Sequence, residues 1–191
     1  MRLEPMARYT MEWRPLPIEG AGEIIPALVR DSRGYFLRTY DEAWFNKQGL
    51  HRNWVQENQS LTREKHSVRG LHFQSPPHSE TKLIRTARGR ALDVLVDLRR
   101  DSVTFRQWCS VELSEETMNM VFAPPGCAHG FCTLTEDVVI LYKMDANYAP
   151  EHEGGLRWND PEIGIEWPTD EPELSEKDVA LPLWSEFENP F

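Results

Sequence analysis

Hydrophobic and polar residues alternate along much of this chain with the two-residue period of β-strands. The clearest strand is predicted over residues 91–98, where Asp93 and Asp97 lie on one face and the other face carries Leu92, Val94, Val96 and Leu98. In residues 138–144 the same period places Tyr142 on one face with three apolar residues. Tyr142 is therefore expected to point wherever the inner face of that strand points.

Helical patterns are short. Residues 41–48 predict one helix, with Asp41 as its N-cap and Gly49 as its stop. The capping-box pattern from Ser175 to Asp178 predicts a second short helix.

Turn residues divide the rest of the chain into many short strands. Residues 23–40 predict a hairpin with its turn at residues 31–34, and Arg88-Gly89 and Pro125-Gly126 mark later turns. Short strands with almost no helix among them are typical of an antiparallel sandwich or barrel. We therefore expect an all-β fold.

Length and composition narrow the setting. The 191 residues suit one domain, predicted over residues 21–191, with residues 1–20 as an amino-terminal arm. Neither a signal-peptide core nor a stretch approaching the roughly 20 apolar residues of a membrane span is found. The three cysteines are odd in number and lack C-x-x-C spacing, which argues against a disulfide framework and a thiolate zinc site. We expect a cytoplasmic protein without a membrane partner.

The formal net charge of −10, from 21 basic and 31 acidic residues, argues against nucleic acid as the main partner. An anionic substrate would therefore need a local cluster of basic residues. The first candidate for the site of the chemistry is residues 69–74, Arg-Gly-Leu-His-Phe-Gln. Arg69 and His72 would lie on opposite faces of a regular strand, but a bend at Gly70 would aim both side chains into one cavity.

A second motif bears on metal binding. Residues 124–129 have the P-x-G-x-x-H spacing of the second motif of cupins, a superfamily of jelly-roll proteins, and end at His129. The first cupin motif carries H-x-H and a glutamate as metal ligands, whereas this chain has only His72 at that place. A metal normally needs three or four protein ligands. The pattern predicts a cupin-type jelly roll with no metal and no cofactor.

Residues 23–183 resemble the dTDP-4-dehydrorhamnose 3,5-epimerase family and its nucleotide-sugar epimerase relatives. The segments that carry the resemblance are residues 31–36, 56–58, 69–74, 82–85, 91–105, 125–131, 141–143, 148–151, 158–161, 164–168 and 174–178. The resemblance implies a jelly-roll homodimer that epimerises a nucleoside-diphosphate 4-keto-6-deoxysugar. The reaction removes a proton beside the carbonyl and returns one to the opposite face of the enolate.

The resemblance also implies roles for individual residues. His72 would be the base, oriented by Asp178, and Tyr142 would be the acid on the opposite face of the sugar. Lys82, with Arg69, would stabilise the enolate. Substrate contacts are implied for Arg33, Gln56, Asn58, Arg69, Lys82, His129, Glu153 and Lys177. In the family the Arg33 hairpin reaches the neighbouring subunit's site, which implies a dimer.

Several alternatives stay open from the sequence. Arg38 replaces a family glutamate that helps hold the nucleotide, and Asn147 replaces one of two adjacent tyrosines. These differences leave open another nucleotide, or epimerisation at carbon 3 alone. A metal-dependent cupin oxygenase or isomerase and a non-catalytic sugar-binding cupin are alternatives from other classes.

The same residues also have purely structural interpretations. His72 could be a core histidine, Asp178 a helix cap, and Tyr142 an aromatic that lines the barrel. Lys82 could lie on a solvated strand edge, and His129 could be structural.

Overall fold

In the computed structural model, residues 10–191 are described, and they form thirteen β-strands and two short α-helices. The elements are, in chain order, β1 (Met11–Pro15), β2 (Gly22–Pro26), β3 (Val29–Asp31), β4 (Gly34–Phe36), α1 (Glu42–Lys47), β5 (Gln56–Thr62), β6 (Val68–Gln74), β7 (Lys82–Arg88), β8 (Arg90–Asp97), β9 (Trp108–Ser114), β10 (Met120–Ala123), β11 (Cys127–Thr133), β12 (Val138–Met144), β13 (Glu153–Gly155) and α2 (Glu176–Val179). The all-β jelly-roll class predicted from the sequence is confirmed.

Two antiparallel sheets and a separate hairpin contain all the strands of the described residues. The six-stranded sheet has the order β1-β2-β10-β7-β12-β5, and the five-stranded sheet has the order β13-β6-β11-β8-β9. Strands β3 and β4 pair only with each other. Apart from β1–β2 and β8–β9, neighbouring strands in these sheets are not consecutive in the chain, so the space between the sheets is lined by residues that are distant in sequence.

The apolar core has three layers, because both sheets are covered on both faces. Ile84, Leu95 and Ile140 belong to the layer between the sheets. Helix α1 inserts Phe45 against the outer face of the six-stranded sheet. The carboxyl-terminal segment covers the outer face of the five-stranded sheet with apolar residues that include Leu156, Ile163, Trp167, Trp184, Phe187 and Phe191.

Strand β8 shows what this layering does to the predicted alternation. Val94 and Val96 pack under the carboxyl-terminal segment, while the face that carries the aspartates points between the sheets. Asp93 and Asp97 are 1% and 0% exposed. Burial alone raises the pKa of Asp97, but hydrogen bonds from Arg99, together with Ser102 and Thr104, outweigh it and lower the pKa. A carboxylate is therefore tolerated inside the fold because it is paired.

The short elements predicted from the sequence are confirmed. The hairpin turns at residues 31–34, with Asp31 opposite Gly34, although its paired part spans only β3 and β4. Helix α1 is capped by the Asp41 side chain, which accepts from the Trp44 amide at 3.0 Å. Strand β12 places Tyr142 on the inward face.

Part of the amino-terminal arm predicted over residues 1–20 lies within the described residues. Residues 11–15 form β1, which pairs along its whole length with β2, and Ile18 is fully buried. Met11 and Trp13 pack in the outer layer against the six-stranded sheet, a two-residue period too short to stand out among the prolines. Residues 1–9 lie outside the described residues. We propose that the folded unit starts at β1.

The cysteines are buried, and the helices of the described residues are short. Cys109, Cys127 and Cys132 are buried free thiols, and burial raises the pKa of Cys127 to about 12. They are small core residues. Within residues 10–191, no helix has the length and apolar character needed to cross a membrane.

The bend predicted at Gly70 is present where β6 meets β11. Gly70 has a φ of +117°, and the pairing of the two strands shifts register between His129 and Phe131. A Cβ on Gly70 would lie 2.7 Å from the Cα of Gly130, so the two backbones approach too closely for side chains. As a result, Arg69 and His72 reach the same cavity.

Replacing Gly70 by alanine is expected to destabilise the protein. The backbone conformation alone should lower the free energy of unfolding by about 1–3 kcal/mol, and the contact with Gly130 should add to this loss. Urea unfolding of the variant measures the effect. Gly49→Ala is the matched control, because Gly49 has a φ of +72° but no atom within 4 Å of its added Cβ. Equal losses in the two variants would contradict the close approach.

Candidate active site

A cavity of about 1020 Å³ lies between the two sheets. Its wall includes every candidate residue from the sequence except Arg33, namely Gln56, Asn58, Arg69, His72, Lys82, His129, Tyr142, Glu153, Lys177 and Asp178. These side chains come from six strands and from α2. The fold thus gathers residues that are up to 122 positions apart, from Gln56 to Asp178, in one place.

His72 and Asp178 form a histidine–carboxylate pair in this cavity. The His72 Nε2 lies 2.6 Å from the Asp178 Oδ1, with 29% of the His72 side chain and 5% of the Asp178 side chain exposed. Burial alone raises the pKa of Asp178, but His72, Ser175 and the Gly70 amide outweigh it and lower the pKa. The carboxylate is therefore ionised at neutral pH and holds the imidazole beside it by a hydrogen bond.

The carboxyl-terminal segment brings Asp178 to His72 by pairing with the chain at the start of β6. The Val68 amide donates to the Glu173 carbonyl at 2.9 Å, and the Glu173 amide donates to the His66 carbonyl at 3.0 Å. The chain then enters α2, where the Ser175 hydroxyl accepts from the Asp178 amide at 3.1 Å. Asp178 therefore both belongs to the predicted capping box and contacts His72.

Tyr142 and Lys82 enter the cavity from the other sheet. They lie on the adjacent strands β12 and β7, where Tyr142 is opposite Ile84. The Lys82 Nζ lies 3.1 Å from a Glu80 carboxylate oxygen and donates to the His72 carbonyl at 3.4 Å. Lys82 is thus largely buried and held beside His72, and it does not lie on a solvated strand edge.

A second histidine–carboxylate pair lies next to the first. His129 is directly opposite His72 across β11 and β6, and its Nε2 lies 2.7 Å from the Asp93 Oδ2. The other Asp93 oxygen, Oδ1, is buried without a hydrogen-bond partner among the described residues. Asp93 was not predicted as a site residue. The alternation in residues 91–98 placed Asp93 on a polar face, but it did not indicate that β11 would bring His129 to that face.

The two imidazoles are the candidate metal ligands of the cupin motifs. Each uses its Nε2 to bind a carboxylate, Asp178 for His72 and Asp93 for His129. Within residues 10–191, the one group of three metal-ligating side chains that lie close together is His78, Glu151 and His152, none of which lines the cavity.

The mouth of the cavity contains a polar network. Glu153 binds Lys177 at 2.6 Å and accepts from the Tyr148 hydroxyl at 2.9 Å. Burial alone raises the pKa of Glu153, but these two partners outweigh it and lower the pKa. Gln56 connects this network to the strands, since its side-chain carbonyl accepts from the Tyr148 amide at 3.1 Å and its amide donates to Asn58 at 3.3 Å.

Two further polar residues on the cavity wall were missed from the sequence. Glu80 is the ion-pair partner of Lys82, and Gln74 donates to Glu80 at 2.9 Å. The Gln74 side chain also accepts from the Ala149 amide at 2.7 Å, which fixes the segment that leads to Glu153. Gln74 ends the motif at residues 69–74 and Glu80 lies two residues before Lys82, but the sequence does not show that these side chains bond to each other in the cavity wall.

Arg33 is not part of this chain's own cavity. It lies at the exposed tip of the β3–β4 hairpin, where 88% of its side chain is exposed and it binds Asp31 at 2.6 Å. Two aromatic residues of the same hairpin, Tyr35 and Phe36, are 49% and 56% exposed. The hairpin therefore presents a cation and two aromatic rings away from the cavity.

The chain was compared with known proteins. A family model described as dTDP-4-dehydrorhamnose 3,5-epimerase matches residues 15–186. The dTDP-4-dehydrorhamnose 3,5-epimerase of Sinorhizobium fredii is 45% identical over 173 residues, which cover 90% of this chain and 89% of the relative.

Two solved structures share the fold and much of the sequence. A dTDP-6-deoxy-D-glucose-3,5-epimerase from Legionella pneumophila, in complex with dTDP-4-keto-L-rhamnose, is 34% identical with a TM-score of 0.89, covering 94% of this chain and 95% of that one. A 3′-monoepimerase from Streptomyces bikiniensis, in complex with dTDP-quinovose, is 32% identical with a TM-score of 0.84, covering 91% and 88%. Because the family model matches residues 15–186, nearly the whole chain, the chain belongs to the dTDP-4-dehydrorhamnose 3,5-epimerase family.

Proposed function

We propose that this protein epimerises carbons 3 and 5 of dTDP-4-keto-6-deoxy-D-glucose to give dTDP-4-keto-L-rhamnose. Both carbons flank the 4-keto group, so loss of a proton from either gives an enolate. Return of a proton to the opposite face inverts the carbon. The reaction needs a base on one face, an acid on the other and a donor at the enolate oxygen.

One observation carries the proposal: His72 and Tyr142 enter the same cavity from different sheets. His72 lies on β6 of the five-stranded sheet, and Tyr142 lies on β12 of the six-stranded sheet. A sugar ring lying between the sheets would have one face toward each residue. This arrangement supports His72 as the base and Tyr142 as the acid.

The pair of His72 and Asp178 is suited to take up a proton. A carboxylate at one ring nitrogen fixes the tautomer, leaves the other nitrogen free to accept the proton, and stabilises the imidazolium that forms. The lowered pKa of Asp178 supports this role, because the carboxylate stays charged when the imidazole is neutral.

Lys82 and Arg69, which both line the cavity, would stabilise the enolate. The Lys82 ammonium is held close to the His72 backbone by its contacts, and only 11% of its side chain is exposed. A partly desolvated cation interacts more strongly with a developing oxyanion than one in bulk water does. Arg69 is fixed by its bond to the Thr62 hydroxyl at 2.9 Å.

Recognition of the diphosphate is expected at the basic side chains of the cavity wall. Lys177 and Arg69 supply positive charge locally in a chain whose net charge is −10. Gln56 and Asn58 add hydrogen-bonding groups near the mouth. Arginine is well suited to bidentate phosphate contacts, which supports a role for Arg33 as well.

We further propose that the protein acts as a homodimer in which the β3–β4 hairpin reaches the partner's cavity. The exposed Arg33 and the two exposed aromatic rings support this arrangement, because they could contact a phosphate and a base or sugar but do not line the cavity of their own chain. A cytoplasmic location stays a prediction from the sequence.

Epimerisation at carbon 3 alone is the second candidate function. It is favoured by the similarity to the Streptomyces 3′-monoepimerase, which shares the fold at a TM-score of 0.84. The two candidates share every step of the chemistry at carbon 3, so they differ only in whether carbon 5 exchanges its proton.

Incubation of dTDP-4-keto-6-deoxyglucose with chelator-treated protein in deuterium oxide tests the function and the base together. We expect NMR to show deuterium at carbons 3 and 5 with the native chain. His72→Ala should bind substrate but exchange about 10²–10⁴-fold more slowly, and His51→Ala, an exposed histidine outside the cavity, should exchange normally. Deuterium at carbon 3 alone would establish the 3-epimerase, and undiminished exchange by His72→Ala would refute the base assignment.

Tyr142→Phe separates proton removal from proton return. The variant should still exchange deuterium into recovered substrate, because His72 is intact, but it should form epimerised product slowly. The ratio of exchange to product, followed by NMR over time, is the measurement. Product formation at the native rate would assign the acid role to another group.

Mixed dimers test whether Arg33 acts in the partner's cavity. Arg33→Ala and His72→Ala chains, each nearly inactive alone, are co-expressed with different affinity tags. If the hairpin crosses the interface, each mixed dimer has one intact site, and a random mixture should recover about a quarter of native activity. If Arg33 acts within its own chain, the mixture stays inactive, and a monomer by light scattering would refute the dimer itself.

A further inference from the structure

We propose that His78, Glu151 and His152 form a binding site for a divalent transition-metal ion such as Zn²⁺, separate from the epimerase cavity. Each residue offers one ligand atom, and the three atoms lie within 4.8 Å of one another. None of the three lines the cavity. This group is called the His78 cluster below.

The donor set of the His78 cluster determines which ions it suits. Two imidazoles and one carboxylate are the ligands of catalytic zinc sites, in which the remaining position is filled by water. Imidazole also suits copper and nickel, whereas calcium and magnesium prefer sites made of oxygen ligands. The cluster therefore favours a first-row transition ion over the hard cations.

Backbone hydrogen bonds hold the His78 cluster together without a metal. The His78 amide donates to the Ser75 carbonyl at 3.0 Å, and the Ser75 amide donates to the His152 carbonyl at 2.8 Å. Residues 75–78 and the short 3-10 turn at Pro150–His152 are thus fixed to each other. A site held in this way loses less conformational entropy on binding than one that must be assembled.

His152 has the kind of support that metal-binding histidines require. Its Nδ1 lies 3.2 Å from the Ser75 hydroxyl, which fixes the ring and leaves Nε2 available. Histidine ligands usually bind through one nitrogen while the other is hydrogen-bonded, and this second contact tunes affinity. Ser75 is therefore part of the proposed site, although it is not a ligand.

The remaining two side chains are available to an ion. The rings of His78 and His152 have centroids 4.4 Å apart at 40°, and their ligand atoms lie within 4.8 Å of each other, so side-chain rotation would direct one nitrogen of each ring at a shared ion. Glu151 is exposed and has no ion pair among the described residues. Ligand atoms at about 2.1 Å from one ion lie at most about 4.2 Å apart, so small rotations of these side chains would close the site.

The His78 cluster is connected to the cavity wall by one side chain. The Gln74 amide donates to the His78 carbonyl at 3.1 Å and to Glu80, the partner of Lys82, at 2.9 Å. An ion at the cluster would therefore stabilise the loop between β6 and β7. It would not take part in proton transfer, because its ligands lie outside the cavity.

Zinc titration of the chelator-treated full chain tests the proposal. Competition with a chromophoric chelator should give one ion per chain, and thermal unfolding should shift to higher temperature as zinc is added. His78→Gln, Glu151→Gln and His152→Gln should each weaken zinc binding, and Ser75→Ala should weaken it by about tenfold. His51→Gln is the matched control and should bind zinc as the native chain does.

Two results would overturn the proposal. Zinc affinity in His78→Gln and His152→Gln equal to that of the native chain would place the ion elsewhere, for instance at the cavity histidines. If the native chain does not bind zinc, the His78 cluster is not a metal site. Glu151 is exposed, so Glu151→Gln should fold normally and keeps the test valid if either histidine variant is unstable.

Discussion

The active site depends on the close approach of two glycine backbones. Where β6 passes β11, Gly70 and Gly130 let the strands meet at a distance that excludes a Cβ on either. The resulting bend turns Arg69 and His72 to the same side of the sheet, although a regular strand would separate them. The position of His72 in the cavity, beside Asp178, therefore depends on this local departure from regular β-structure.

Two paired charges in the cavity follow from the cost of burying ions. A carboxylate removed from water must gain comparable interactions from the protein. Asp178 gains them from His72, the helix cap and the Gly70 amide, and its pKa falls below the ordinary value. Asp93 has His129 alone, with one oxygen left without a partner among the described residues. The two carboxylates therefore differ in how completely they are hydrogen-bonded.

The sequence predicted the fold class, the capped ends of α1 and α2, and the inward face of β12, because these depend on local periods and on capping residues. It also predicted the bend, since only glycine readily adopts the conformation of Gly70. It missed Asp93, Glu80 and the strand at residues 11–15. Asp93 depends on His129, which lies on another strand. Glu80 and residues 11–15 have partners nearby in the chain, Lys82 and residues 22–26, but the pattern of apolar and polar residues does not show that these partners will meet.

The candidate site is complete only when three separate parts of the chain are in place. The five-stranded sheet supplies His72, the six-stranded sheet supplies Tyr142 and Lys82, and the carboxyl-terminal segment supplies Asp178. That last segment is held by apolar contacts on the outer face of the five-stranded sheet and by its pairing with the chain at the start of β6. The packing of this segment therefore also positions Asp178. Because the hydrophobic contacts fix where α2 begins, the same burial that stabilises the fold sets the distance between the carboxylate and the imidazole.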